Sequence, residues 1–144
     1  MLNDDVKKAR EKDPALVCQM QAACRYCGQS MMVDVLVNWG VQEAETVATE
    51  LCDCTQASLY TRKMRRREKA KIRIRQLFAD DTIADSMHQD IVPFLSDLVD
   101  AVADEKIKKV TCSVGDGITA VIAMTSKDTI KTQRIIRADS SYEE

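Results

Sequence analysis

Two short cysteine spacings, Cys24-x-x-Cys27 and Cys52-x-Cys54, constrain this chain more than any other feature of it. Gly28 follows Cys27 directly. A C-x-x-C-G turn lets two thiolates converge while backbone N–H groups point at the sulfurs, and glycine tolerates the positive φ that such a turn often needs. The second pair begins 25 residues beyond Cys27, just ahead of a long helical pattern. A helix N-terminus offers unpaired N–H groups and positive dipole charge, both of which stabilise thiolates. Pairs at opposite ends of a strand-and-helix insert suit tetrahedral coordination by four sulfurs. Cys24, Cys27, Cys52 and Cys54 are therefore the expected ligands of one structural Zn²⁺, in a closed site with no place for an activated water. Structural disulfides or unpaired buried thiols are the alternative, and the spacings match no common ferredoxin pattern. Cys18 and Cys112, the other two of six cysteines, read as small core residues.

Metal takes precedence over disulfides because nothing near the start reads as a secretory leader. Met1 to Pro14 is dense in charge, and no apolar run approaches the roughly 18 residues that a bilayer demands. A cytoplasmic protein with reduced thiols is expected. With 144 residues, 45% of them hydrophobic and 31% charged, one globular domain is expected. Two Phe, three Tyr and one Trp leave the core to Leu, Ile, Val and Met and count against stacking platforms for single-stranded nucleic acid. Four Gly count against a glycine-rich cofactor loop.

The hydrophobic periods predict an α+β fold: a zinc-stapled N-terminal module, two long helices and a C-terminal three-stranded antiparallel meander. Residues 1–23 read as a helical extension, interrupted at Asp13-Pro14 and followed by an apolar segment. Residues 24–79 form the four-cysteine module and a long basic helix, 80–105 an acidic helix, 106–137 the meander and 138–144 a fraying tail. Within the module, Met31–Val37 is a strand. Val41, Ala44, Val47, Ala48 and Leu51 recur at helical spacing. Thr55 is the expected N-cap of a helix reaching Phe78, with Leu59, Ala70, Ile74, Leu77 and Phe78 near one face. The acidic helix spans about Thr82 to Asp104, with Pro93 as a kink or a fresh start. Val110, Cys112 and Val114 then alternate with polar residues, and Asp116-Gly117 signals a hairpin.

A formal net charge of −2 conceals strong segregation. Arg62, Lys63, Arg65, Arg66, Arg67, Lys69, Lys71, Arg73 and Arg75 stand against Glu68 alone, a net of +8 over 62–75. Residues 76–105 hold eight acids and no Lys or Arg, a net of −8. In one reading antiparallel helices pair these faces, which mainly fixes register. In the other, basic side chains from Arg62 to Arg73 meet phosphates or an acidic surface, and Asp81, Asp85, Asp90 and Asp97 form an acidic contact face. Nine cations within about four turns point in several directions, so some basic surface should remain free.

No catalytic constellation emerges, and no enzyme is expected. His88, the single histidine, has Asp81 and Asp85 at helical spacing but reads as a half-exposed helix residue. Asp80, Asp81 and Asp85 read as a solvated face rather than a Mg²⁺ site. Gly115-Asp116-Gly117 lacks the G-K-[ST] of a phosphate loop, and Trp39-Gly40 reads as a packed turn.

Three stretches resemble a family of small zinc-binding proteins from phages and mobile elements of low-GC Gram-positive bacteria: Cys24-Arg25-Tyr26-Cys27-Gly28-Gln29, Ala48-Thr49-Glu50-Leu51-Cys52-Asp53-Cys54, and the Met124-Thr125-Ser126-Lys127 turn leading to Ile130-Lys131 and Arg134. The resemblance covers roughly residues 24–137, and the N-terminal extension departs from the family's short form. It implies a bacterial host cell and a zinc protein of a class that includes anti-CRISPR proteins, which bind the RNA-guided type II effector nuclease. The expected function is thus inhibition by protein–protein contact. A zinc-dependent DNA- or RNA-binding accessory protein using the 62–75 helix is the alternative, and an adaptor within a phage assembly a third.

Overall fold

The computed structural model describes residues 1–78, 85–115 and 117–136, with the backbone alone for 85–90. It is an α+β fold that ends in an antiparallel meander, as the periodicity predicts. Where a single domain is expected, the chain packs as two compact units, Met1–Arg65 and Arg66–Glu144, each with its own apolar cluster.

The first unit contains α1 (Leu2–Lys12), a short 3₁₀ turn (Pro14–Leu16), β1 (Val17–Ala23), β2 (Ser30–Leu36), α2 (Val41–Leu51) and the start of α3 (Thr55–Phe78). The expectation of a helical extension over 1–23 fails beyond Lys12. Asp13 caps the turn at Pro14 through its carboxylate and Ala15 N–H, and the following segment pairs with β2 in register from Val17↔Leu36 to Ala23↔Ser30. A lone β2 would leave its backbone groups unpaired, and β1 supplies their partners. The extension is tied down elsewhere too. Glu50 accepts the first N–H groups of α1, from Leu2 at 3.1 Å and Asn3 at 2.9 Å, and Arg10 pairs with Asp34.

Ala22, Val33 and Val35 of the hairpin pack with Ala44, Val47 and Ala48 of α2, and Leu2, Met20, Met31 and Trp39 close in around them. The α2 boundaries match the sequence reading, but Val41 and Leu51 at its two ends are exposed. Cys18 is also exposed, contrary to its expected core role: alternation buries a residue only where another element covers it, and β1 is buried at Ala22 alone.

In the second unit α3 continues, followed by α4 (Asp85–Ala103), β3 (Lys109–Gly115), β4 (Ile118–Met124) and β5 (Ile130–Ile136). The sheet order is β3-β4-β5, all antiparallel. Ala70, Ile74 and Phe78 of α3 recur every four residues and pack with Ile91, Leu95, Val99 and Val102 of α4 over Ile118, Ala120 and Ile122 of β4. Leu59, assigned to this face from its spacing, is exposed. Pro93 lies inside α4 without ending it. Cys112 packs half-buried against the core, and burial pushes its thiol pKa up. Gly117 takes φ +71° in the β3–β4 turn; Asp116 and the tail from 137 lie outside the described residues.

Candidate metal centre

The two cysteine pairs occupy two tight corners of the first unit. Cys24 and Cys27 lie in the loop of the β1–β2 hairpin, closed by Cys24 N–H to Gln29 O at 3.0 Å and Gly28 N–H to Cys24 O at 2.9 Å. Gly28 adopts φ +75°, the left-handed conformation that glycine reaches most cheaply. The second pair links two helices. Cys52 ends α2, its N–H donating to Ala48 O at 3.0 Å, and Cys54 precedes α3. The N-cap is Cys54 and not Thr55. Its sulfur accepts the Ala57 N–H at 3.4 Å and its carbonyl accepts the Ser58 N–H at 2.9 Å. A cap needs an acceptor side chain one residue before the helix, and here sulfur fills that role.

These corners bring all four sulfurs within 4.8 Å of one another. Cys27 Sγ lies 3.5 Å from Cys52 Sγ, and Cys24 Sγ 3.9 Å from Cys54 Sγ. A tetrahedron with metal–sulfur bonds of about 2.3 Å has edges of about 3.8 Å, which those separations straddle. All four thiols are free in this structure. The set can hold a metal ion. Cys24 and Cys52 are buried, Cys54 half-buried and Cys27 exposed, which places the cluster against the protein with one ligand toward solvent.

The electrostatics of the four thiols are unequal. Burial opposes ionisation of Cys24, but the N–H groups of Cys27 and Tyr26 and the neighbouring Cys52 and Cys27 thiols outweigh it and lower its pKa to about 6. The Cys54 N–H favours the Cys52 thiolate, yet burial and the crowding of Cys27, Cys24 and Cys54 push that group up to about 12. Cys54 is raised despite the Ala57 N–H, because burial and the thiols of Cys24 and Cys27 oppose a further negative charge. Ionising all four sulfurs at this spacing calls for a cation.

Residues that spacing alone does not reveal hold the hairpin loop in place. Thr49 is fully buried in the last turn of α2, accepts the Arg25 N–H at 3.1 Å and donates to Glu45 O at 2.8 Å. The Arg25 guanidinium donates to Thr46 Oγ1 at 3.2 Å. Tyr26 meets Tyr60 of α3 with ring centroids 6.0 Å apart. Ala57 is wholly buried against the cysteines.

The expected partner-binding residues divide. Arg67 pairs with Asp100 at 3.4 Å and with Asp104, and Lys71 pairs with Asp100 at 2.9 Å. Arg66 pairs with Asp128 and lies 4.0 Å from Glu105. Residue numbers run in opposite directions across these contacts, as antiparallel α3 and α4 require. Arg62, Arg65, Lys69, Arg73 and Arg75 are exposed, and Lys63 is half-buried. Of the expected acidic face, Asp97 is exposed. Asp80 and Asp81 lie outside the described residues, as do the side chains of Asp85, His88 and Asp90. Trp39 packs against the hairpin core. Among the described residues no helix is long and apolar enough to cross a membrane. No protein-family model, curated protein or solved structure matches this chain.

Proposed function

We propose that this chain is a zinc-binding contact protein, a phage-type inhibitor that works by occupying its partner, with a type II CRISPR effector nuclease as the favoured target. The observation that carries the metal half is the four-sulfur set, Cys24, Cys27, Cys52 and Cys54, converging from two corners of one unit. Thiolates select soft or borderline metals over Mg²⁺ and Ca²⁺, and tetrahedral four-sulfur sets suit zinc. Four protein ligands leave no open position, so the ion would supply folding energy. The contact half rests on the family resemblance of both cysteine blocks and on exposed charge along α3.

Elemental analysis should give about one zinc per chain, with Cys24→Ser losing metal and thermal stability together. Zinc-free protein with unchanged melting refutes the metal. The inhibitor reading expects a stable complex with purified effector and loss of target cleavage, and no complex at micromolar concentration sinks it.

Exposure of Arg62, Arg65, Lys69 and Arg73, spaced by three or four residues on α3, favours nucleic-acid binding as a second reading. It expects a steep salt dependence that Arg65→Ala with Lys69→Ala flattens. The absence of any shift with duplex or single strand at about 50 mM salt eliminates it.

A further inference from the structure

The end of the sheet where β3 starts, β4 finishes and β5 starts carries a feature that the cysteine cluster does not use. A hollow of about 560 Å³ opens there, lined by the apolar Val102, Ile107 and Met124 and by Glu105, Lys108, Thr125 and Ser126. Ile107 is 36% exposed and Met124 half-buried, so this lining leaves apolar surface to solvent.

Five exposed lysines gather at the same end: Lys106, Lys108, Lys109, Lys127 and Lys131. Lys106 and Lys127 directly adjoin lining residues in the chain, while Lys109 and Lys131 flank Ala123 in a cross-strand row on the other face of the sheet from Met124. Among the described residues none of the five has an ion-pair partner. Of the nearby acids, Asp128 is engaged and Glu105 is largely exposed. Asp128 pairs with Arg66, and the Glu105 carboxylate lies 4.0 Å from the same guanidinium. Among the described residues, Lys106, Lys108 and Lys127 stand in or beside the lining against Glu105, a surplus of positive charge next to an apolar hollow.

We propose that this groove receives an acidic segment of a protein partner, an apolar side chain of which enters the hollow while flanking carboxylates meet the lysines. The lysines alone would suit any polyanion. The apolar lining decides between them, because a phosphate backbone brings charge but no apolar anchor. Lysine heads beside an apolar lining keep their hydration until a carboxylate arrives, and their aliphatic stems extend the apolar contact. The site rests on the contact-protein reading and gives it a surface and a partner chemistry.

The probe is a fluorescein-labelled Glu/Asp-rich peptide with one central leucine, added to the full zinc-loaded protein and followed by anisotropy. It should bind, and the Lys108→Glu, Lys127→Glu double variant should weaken it by about tenfold or more. Replacing the peptide's leucine by serine, or Ile107 by Ser in the protein, should weaken it comparably with every lysine in place. Unchanged melting temperatures separate these losses from misfolding, and the serine peptide reads the hollow on the unaltered protein. No binding at about 1 mM overturns the proposal. So does binding indifferent to both the charge reversal and the leucine, or tighter binding of a labelled DNA duplex at the same lysines. Failure with the effector nuclease leaves this peptide result unaffected, so the two readings fall separately.

Discussion

Thr49 shows how a single hydroxyl positions the candidate metal centre. It joins the hairpin loop to α2 through the Arg25 N–H, and it has no exposure to water that could replace that partner. Thr49→Val keeps the shape and leaves the N–H unpaired, which should cost about 1–3 kcal/mol of unfolding free energy; Thr49→Ser should restore most of it in the same denaturant titration. Thr55→Ala should change stability by about 0.5 kcal/mol or less, because the cap is the Cys54 sulfur. The cysteine pairs are legible in the sequence because two-residue and one-residue spacings encode turns directly. Thr49 is not, since its partner lies 24 residues away and only the folded corner brings them together.

Among the elements, the period of α3 places Ala70, Ile74, Leu77 and Phe78 on the core correctly, since four-residue recurrence fixes a face, while Leu59 from the same expected face is exposed. The charge segregation is equally visible in the sequence, but its division into paired and exposed cations depends on how α3 is rotated against α4. Arg66 illustrates the paired side. Its guanidinium reaches Asp128 in the β4–β5 turn, where φ is +59°, and lies 3.4 Å from the Ala103 carbonyl at the end of α4. Only 10% of the side chain is exposed, against 50% for Asp128, which tempers the pair's worth. Arg66→Ala should therefore cost about 1–3 kcal/mol, chiefly by stranding polar groups at that corner, while Arg62→Ala on the exposed side should cost about 0.5 kcal/mol or less. Urea unfolding of the two variants checks the contrast. The strand β1 escaped the periodicity because only Ala22 along it is buried, so its place is set by pairing with β2 rather than by burial.

For the whole molecule, apolar periods reveal which faces are buried but not which faces share a core, and this is why one domain was expected where two compact units form. All four cysteines belong to the unit Met1–Arg65, whose apolar cluster is built largely of alanine and valine. The second unit has its own core, including Phe78, Ile74, Leu95 and Ile122. Metal removal should consequently act unequally. A chelator withdraws binding energy, on the order of 10 kcal/mol in zinc-finger peptides, from a unit whose small side chains supply little to replace it. Hydrogen exchange after chelation should show β1, β2 and α2 amides losing protection while those of Leu95, Val99 and Ile122 keep theirs. Acid should give the same pattern. The thiols of Cys52 and Cys54 are raised, so protons compete with metal for them, and metal affinity must fall as pH falls. The low Cys24 pKa of about 6 keeps one thiolate available down to that pH, below which it too is protonated and release should steepen. Uniform loss of protection across both units would show instead that the second core depends on the metal as well.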